Sequence, residues 1–469
     1  MNDITCNIIY FTLILYQFMN VIKSVKIIII TLSAFSALSC ATTSKAYKEI
    51  DNAVDQSNFS AAAGVIKKGQ ERKNPVYSEK NAILLYLDKG LLEHYAGNYE
   101  ESSKDFQRAE KLIEEAYTKS ISEGFLSYIV NDNTKAYPGE DFEDIYLNVF
   151  NALNYFKRGD TESALVEIRK LSASSGKLDM LARKYEYIDP KTGENLSQKT
   201  KKETGISEMP KTKAVNFSNS ALARYLGALF YQAAGNTDAA RIEFDQISRA
   251  YAANSDIYRG LVPRAVEEAR NVPSQLARLN IISFSGLSPV KEEALITQHL
   301  PFQHPVLQIA VFKLPALERR SYNITKIEVE VEGAGKFNLE LLEDMGAVIQ
   351  ETFNARYSNI FLKTYIRTII KYTVADIAAI ETSRQKDALA GLIIALAARA
   401  AMDGSEKADI RMSRYLPDKA YIGGINLDPG TYQVYINYYH GNRLVFRDEH
   451  KNVAVKKGGL NLIESVKLR

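Results

Sequence analysis

The sequence predicts an α+β chain of several bodies, with an α-helical hairpin array in its first half and a β-sandwich-like unit, interrupted by helices, in its second. Three observations carry this reading. Apolar residues recur at helical spacing from about Tyr47 to Arg270, the period shortens to two after Pro273, and 469 residues exceed the roughly 150 that one domain ordinarily takes. Hydrophobic residues at 46% and charged residues at 25%, with only 12 Pro, are enough to bury ordinary cores, which excludes a disordered or fibrous chain. A formal charge of +3 supplies no field to draw nucleic acid, so that partner is excluded. The two cysteines, Cys6 and Cys40, precede the whole body, excluding a disulfide framework, a thiolate metal site or a catalytic thiol downstream.

The amino terminus reads as an address. From Met19, which reads as the true start, a short basic stretch (Lys23, Lys26) precedes twelve apolar residues, Ile27 to Leu38, and then small residues before a cysteine, the order found in signal peptides. An uncleaved N-terminal anchor is the alternative, and either version places the body outside the cytoplasm. Ser36-Ala37-Leu38-Ser39-Cys40 resembles a relaxed bacterial lipobox, with Leu38 and Ser39 departing from the strictest form. The resemblance implies a leader over residues 1–39, acylation of Cys40, a membrane tether, and, since Ala41 is not acidic, an outer-membrane destination. More than one acyl chain, at about 0.8 kcal/mol per buried methylene, holds such a protein firmly.

Residues 40–270 carry a recurring turn. Ser57-Asn58, Gly97-Asn98, Gly159-Asp160 and Gly235-Asn236 are each followed by a small residue (Ala62, Ser102, Ala164, Ala240) and, four further on, by Ile66, Phe106, Ile168 or Phe244. Glycine suits the end of one helix, the polar residue caps the next, and the small residue lets the two approach. These positions resemble the tetratricopeptide repeat, best at Tyr86, Gly90, Gly97, Tyr99, Phe106 and Ala109, with Lys89 departing from the pattern. The resemblance implies stacked helical hairpins with a concave groove for a protein or peptide. Spacings of 40, 62 and 76 between turns call for loop insertions at 131–144 and 171–220.

The second insertion, with Lys191, Lys199, Lys201, Lys202, Lys211 and Lys213, reads as a solvated loop. The first is denser: Tyr137-Pro138-Gly139 fixes a turn, and Glu140, Asp141, Glu143 and Asp144 crowd behind it. That turn, the stretch Ala152 to Leu171, Ile281 to Phe284, Gly286 with Pro289, Lys291 and Glu293, and Asp409-x-Arg411 with Leu416-Pro417 resemble a family of uncharacterised bacterial lipoproteins with tetratricopeptide-like repeats and a β-rich C-terminal part. Membership implies location and architecture and supplies no catalytic residue.

Residues 271–469 read as strands at 279–284, 306–314, 326–331, 421–427, 432–439, 443–448 and 462–468, with hairpin turns at Asp428-Pro429-Gly430 and His440-Gly441-Asn442. A helical insertion takes about 338–402. Within it, Ala388 to Ala398 has no charge but only eleven residues, too few to cross a bilayer, and is expected to be a buried or partner-covered helix, core packing being preferred. The flanking stretch with Tyr365, Ile366, Ile369, Ile370, Tyr372 and Val374 is a candidate oligomer face.

No phosphate-binding loop, nucleophile elbow or H-E-x-x-H helix occurs, and the few histidines (only His299 and His304 close together) do not suggest a metal face. No catalytic residue, cofactor or metal is therefore assigned. Candidate partner or loop-site residues are Tyr137, Glu140, Asp141, Glu143, Asp409 and Arg411, the last two expected on one face of a strand. The function expected is a lipid-anchored envelope scaffold that grips a protein partner and supports assembly or regulation of an envelope complex. Hydrolysis of wall polymer or glycan by the acidic turn, and carriage of an apolar molecule by the C-terminal part, are the competing expectations.

Overall fold

The computed structural model describes residues 47–73, 75–122, 132–172, 177, 217, 219–300, 302–385 and 388–469. Cys40 with its leader, and nearly all of the 171–220 insertion, lie outside them. The described chain is α+β, with helices first and strands after.

Residues 47–55 form α1, followed by α2 (Phe59–Gln70), α3 (Ala82–Tyr95), α4 (Tyr99–Ser122), α5 (Asp141–Lys157), α6 (Thr161–Ser172), α7 (Ala221–Ala233), α8 (Thr237–Ala253) and the short α9 (Arg264–Arg270). All four predicted turns share one geometry. Ser57, Gly97, Gly159 and Gly235 have positive φ (55°, 81°, 81°, 74°), and the next residue's N–H reaches back five positions to the carbonyl of Ala53, Glu93, Tyr155 or Tyr231. This is the Schellman ending. The residue that closes one helix then opens its successor: Asn58, Asp160 and Asn236 accept the N–H of Ala61, Ser163 and Ala239 at 3.0–3.1 Å. The small residues behind each turn are buried, so the helices of a pair come close. At Gly90 a Cβ would lie 2.8 Å from the Phe106 ring.

The strands form two four-stranded sheets and a ribbon. The first sheet has the order β10 (Asn461–Lys467), β1 (Ala277–Leu287), β7 (Pro417–Leu427), β6 (Glu340–Asp344), with β10 parallel to β1 and the other pairs antiparallel. The second is antiparallel: β5 (Gly335–Asn338), β4 (Lys326–Val331), β8 (Gly430–His440), β9 (Arg443–Val455). β2 (Val290–His299) pairs only with β3 (Ile309–Glu318). β1 is buried along its whole length because both its faces are covered. Ala277, Leu279 and Ile281 meet Ile327, Val329, Val434 and Ile436 of the second sheet. Ile282 and Phe284 instead join a core that runs through the helices from Ile50 to Leu468.

The chain's own first sheet packs against the helices. Phe150 of α5 packs on Phe284 at 4.9 Å, and the Tyr225 hydroxyl of α7 reaches Asn280. A third core joins Phe312 and Leu314 of β3 to Tyr365, Tyr372 and Ala379 of α10 (Met345–Gln385) and Ala395 of α11 (Ala388–Ser405).

Several expectations are corrected. The helical insertion begins at Met345, since Glu340–Asp344 first completes the sheet as β6. The strand expected from Val306 starts at Ile309, because Pro305–Leu307 makes a 3₁₀ turn with Pro in its first turn. β2 was not foreseen, because its burial does not alternate with its apolar residues: Lys291 is buried while Leu295 and Ile296 are exposed. Most importantly, the uncharged stretch 388–398 belongs to an 18-residue helix, long and apolar enough by length and composition alone to cross a membrane, and it is not core: Gly391 and Ala395 face α10, but Leu389, Leu392, Ile393 and Leu396 are exposed. Periodicity identified the helix but carried no information on what covers it.

The helix pairing makes a concrete prediction. Gly90→Val should lower stability by about 1–3 kcal/mol through collision with Phe106. Gly64→Ala, in mid-α2 where a Cβ meets nothing within 4 Å, should raise it by about 0.5–1 kcal/mol. Denaturant melts of both variants check the pair.

Candidate functional site

The residues singled out between 137 and 144 meet those singled out at 409 and 411. Gly139, at φ +84°, turns the chain beneath Ile113, and Asp141 then begins α5, where carboxylates suit the positive end of the helix dipole. Glu143 reaches back to the Glu140 N–H at 2.9 Å, as in a capping box. Glu140 and Glu143 are buried, contrary to a solvated acidic turn.

Each acid holds a different part of the chain. Glu140 takes Lys291 of β2 on one oxygen and Arg356 of α10 on the other. Glu143 accepts the Tyr137 hydroxyl at 2.8 Å and the Ser413 N–H at 2.5 Å. Asp144 is bridged by Lys177, at 2.6 Å, to Glu110. Residues 406–413 have no regular structure, so Asp409 and Arg411 are not on a strand as expected. They nevertheless pair: two guanidinium nitrogens donate to Asp409 at 2.8 Å, while the same group lies 5.3 Å over the Tyr137 ring and donates to the Lys135 carbonyl. The segment that leads from α11 into β7 is thus held against the helical half. Asp88 of α3 completes the hold, accepting from Tyr77, the Ser413 hydroxyl and the Arg414 N–H at 2.7–2.9 Å.

Three comparable contacts were not foreseen. Glu343 of β6, fully buried, accepts from the hydroxyls of Tyr146, Ser220 and Tyr258 and the Leu222 N–H. Glu464 of β10 faces Nε2 of buried His94 at 2.6 Å, and Nδ1 faces Asn154 Oδ1 at 2.7 Å. Asn154 in turn donates its amide N–H to the Ser102 hydroxyl, so the His94 ring is fixed between a carboxylate and an amide. The partners of Glu343 and Glu464 lie 85 to 370 residues from them, and Asp88, beside its near neighbour Tyr77, reaches Ser413 325 residues on. The available signal was compositional: with 28 Tyr and no Trp, a core rich in tyrosine needs acceptors for its hydroxyls.

The electrostatics follow the donors. Burial, then the charge of Glu140, pushes the Glu143 carboxyl up to about 8 despite its three hydrogen bonds. Burial likewise raises Asp88 and Glu343, whose donors are mainly neutral. Burial pushes Glu464 upward too, but the charge and hydrogen bond of His94, with the charge of Lys157, together outweigh it and hold the carboxyl below its usual range; for Asp409 the hydrogen bonds and charge of Arg411, with the charge of Lys291, likewise outweigh burial. Carboxylates so enclosed can bind segments together. Glu143, 1% exposed, offers no face to a substrate. Among the described residues no three acidic, His or Cys side chains converge as a metal site.

Glu143 sets a pH dependence. Its carboxyl sits at about 8 in the fold against 4.5 free, so the folded chain keeps the proton that the unfolded chain releases. Its stabilising contribution is full below about 4.5 and is lost as pH rises through about 8. The melting temperature should therefore fall more steeply between pH 5 and 9 in the wild type than in Glu143→Gln. Parallel pH profiles would contradict this.

No protein-family model, curated protein or solved structure matches this chain.

Proposed function

We propose that the chain is a lipid-anchored scaffold of the cell envelope, tethered by acylated Cys40 to the outer membrane with its body on the periplasmic side. In this reading residues 40–270 are a tetratricopeptide-like array and residues 271–469 a β-sandwich-like unit carrying the α10–α11 insertion. The observation that carries it is the fourfold use of one helix-ending turn. Its residues both terminate and cap, which is how successive hairpins stack into a rigid frame. The frame grips its own sheet, so contact with an envelope protein falls to the outer surfaces, where Val166 of α6 and Ile242 of α8 are exposed. The acidic turn serves this role as a clamp. Hydrolysis by Glu140 and Glu143 is disfavoured, because both carboxylates are spent on Lys291, Arg356, Tyr137 and backbone N–H groups.

Cys40→Ala tests the tether. The wild type should incorporate labelled palmitate and sediment with membranes, and the variant should lose the label and appear in the soluble periplasmic fraction. Equal labelling of the two would overturn the assignment. Crosslinking in intact cells should return a defined envelope protein with the wild type.

A further inference from the structure

Between Ala388 and Ala401 every exposed side chain of α11 is Ala, Leu or Ile: Leu389, Leu392, Ile393 and Leu396 with four alanines. On α10 the exposed residues from 370 to 378 are Ile370, Thr373, Val374, Ile377 and Ala378, and Val374 and Ile377 are 63% and 64% open. The spacings i, i+4, i+7 and i, i+3, i+4, i+7 are those of a seam that meets another helix. The charged groups of this stretch point the other way. Arg367 and Lys371 close on Glu406, Asp376 accepts the N–H groups of Gln303 and His304, and Arg399 donates to the Val306 carbonyl and pairs with Asp403.

We propose that this outer face of the α10–α11 hairpin docks a second copy of the chain, the two hairpins closing into a four-helix bundle about a two-fold axis. Size supports a second copy. Eighteen residues of α11 run about 27 Å at 1.5 Å each, and two helices side by side span about 20 Å, so each copy offers roughly 500 Å². Two copies then remove about 1,000 Å² from water, the lower bound for a specific interface. A two-fold contact also matches an apolar stripe with itself, needing no complementary charge. A bilayer surface fits less well. Interfacial helices flank their apolar side with several Lys and Arg reaching for headgroups, whereas here Arg367, Lys371 and Arg399 pair with acids of the same chain and, among the described residues of the hairpin, Arg384 is the exposed cation. The alanines along α11 let a facing helix approach closely.

The test uses the full chain in mild detergent. Sedimentation velocity at about 10 μM should give twice the chain mass for the wild type, and the monomer mass for Ile377→Glu/Leu392→Glu. Both positions are exposed, so far-UV circular dichroism and melting temperature of the variant should match the wild type. A wild type that stays monomeric, or a variant that remains dimeric, overturns the proposal. Flotation of a monomeric Cys40→Ser chain with phosphatidylethanolamine/phosphatidylglycerol vesicles, abolished by the same two substitutions, overturns it in favour of a bilayer. A Leu261→Glu control, at a residue 92% exposed elsewhere on the surface, should leave the dimer intact.

Discussion

Four buried carboxylates join the helices to the strands, and the architecture depends on how each is satisfied. Asp88 and Glu143 on the helical side hold Ser413 and Arg414, while Glu343 and Glu464 on the sheet side are held by Ser220, Tyr146, Tyr258 and His94. A carboxylate removed from water without donors is strongly destabilising, so each of these positions forbids separation of its partners. The apolar core between them supplies most of the driving force. The polar contacts fix which residue sits opposite which.

The four sites fall into two electrostatic kinds. His94 brings a charge to Glu464, and that carboxyl is held down. Tyrosines, serines and backbone N–H groups bring only dipoles to Asp88, Glu143 and Glu343, and burial then raises these carboxyls. The acidic turn adds a third arrangement, because Glu140 carries two cations, Lys291 of β2 and Arg356 of α10. One turn therefore sets the position of the ribbon, the α10–α11 hairpin and the segment returning to β7. Whatever the hairpin binds is coupled mechanically to the helical frame through it.

Local chemistry was legible and long-range chemistry was not. The four turns announced themselves because glycine with positive φ and a capping Asn or Asp are requirements of the backbone at those residues alone. The long strands β1, β4, β7, β8 and β10 showed their period, whereas β5 and β6, four and five residues long, are too short to show one. Tyr137, Glu140, Glu143, Asp409 and Arg411 were recognised individually. That Glu143 would meet Ser413, 270 residues on, has no local signature. The apolar run of α11 was read correctly as a helix in need of cover, from the core or from a partner; that the core leaves it open was not legible, because hydrophobicity reports a need for cover without saying whether the same chain provides it.

The central claim is that helices and sheet hold one another through these carboxylates and open together. Hydrogen exchange on the full chain, comparing the wild type with Glu343→Ala, tests it most directly, since the substitution strips the acceptor from Tyr146, Ser220, Tyr258 and the Leu222 N–H at once. The account predicts that amides of α7 and of β1 and β7 lose protection by the same factor, roughly 5- to 150-fold for the 1–3 kcal/mol that unsatisfied buried groups cost. Helices that keep wild-type protection while the strands lose theirs would contradict it.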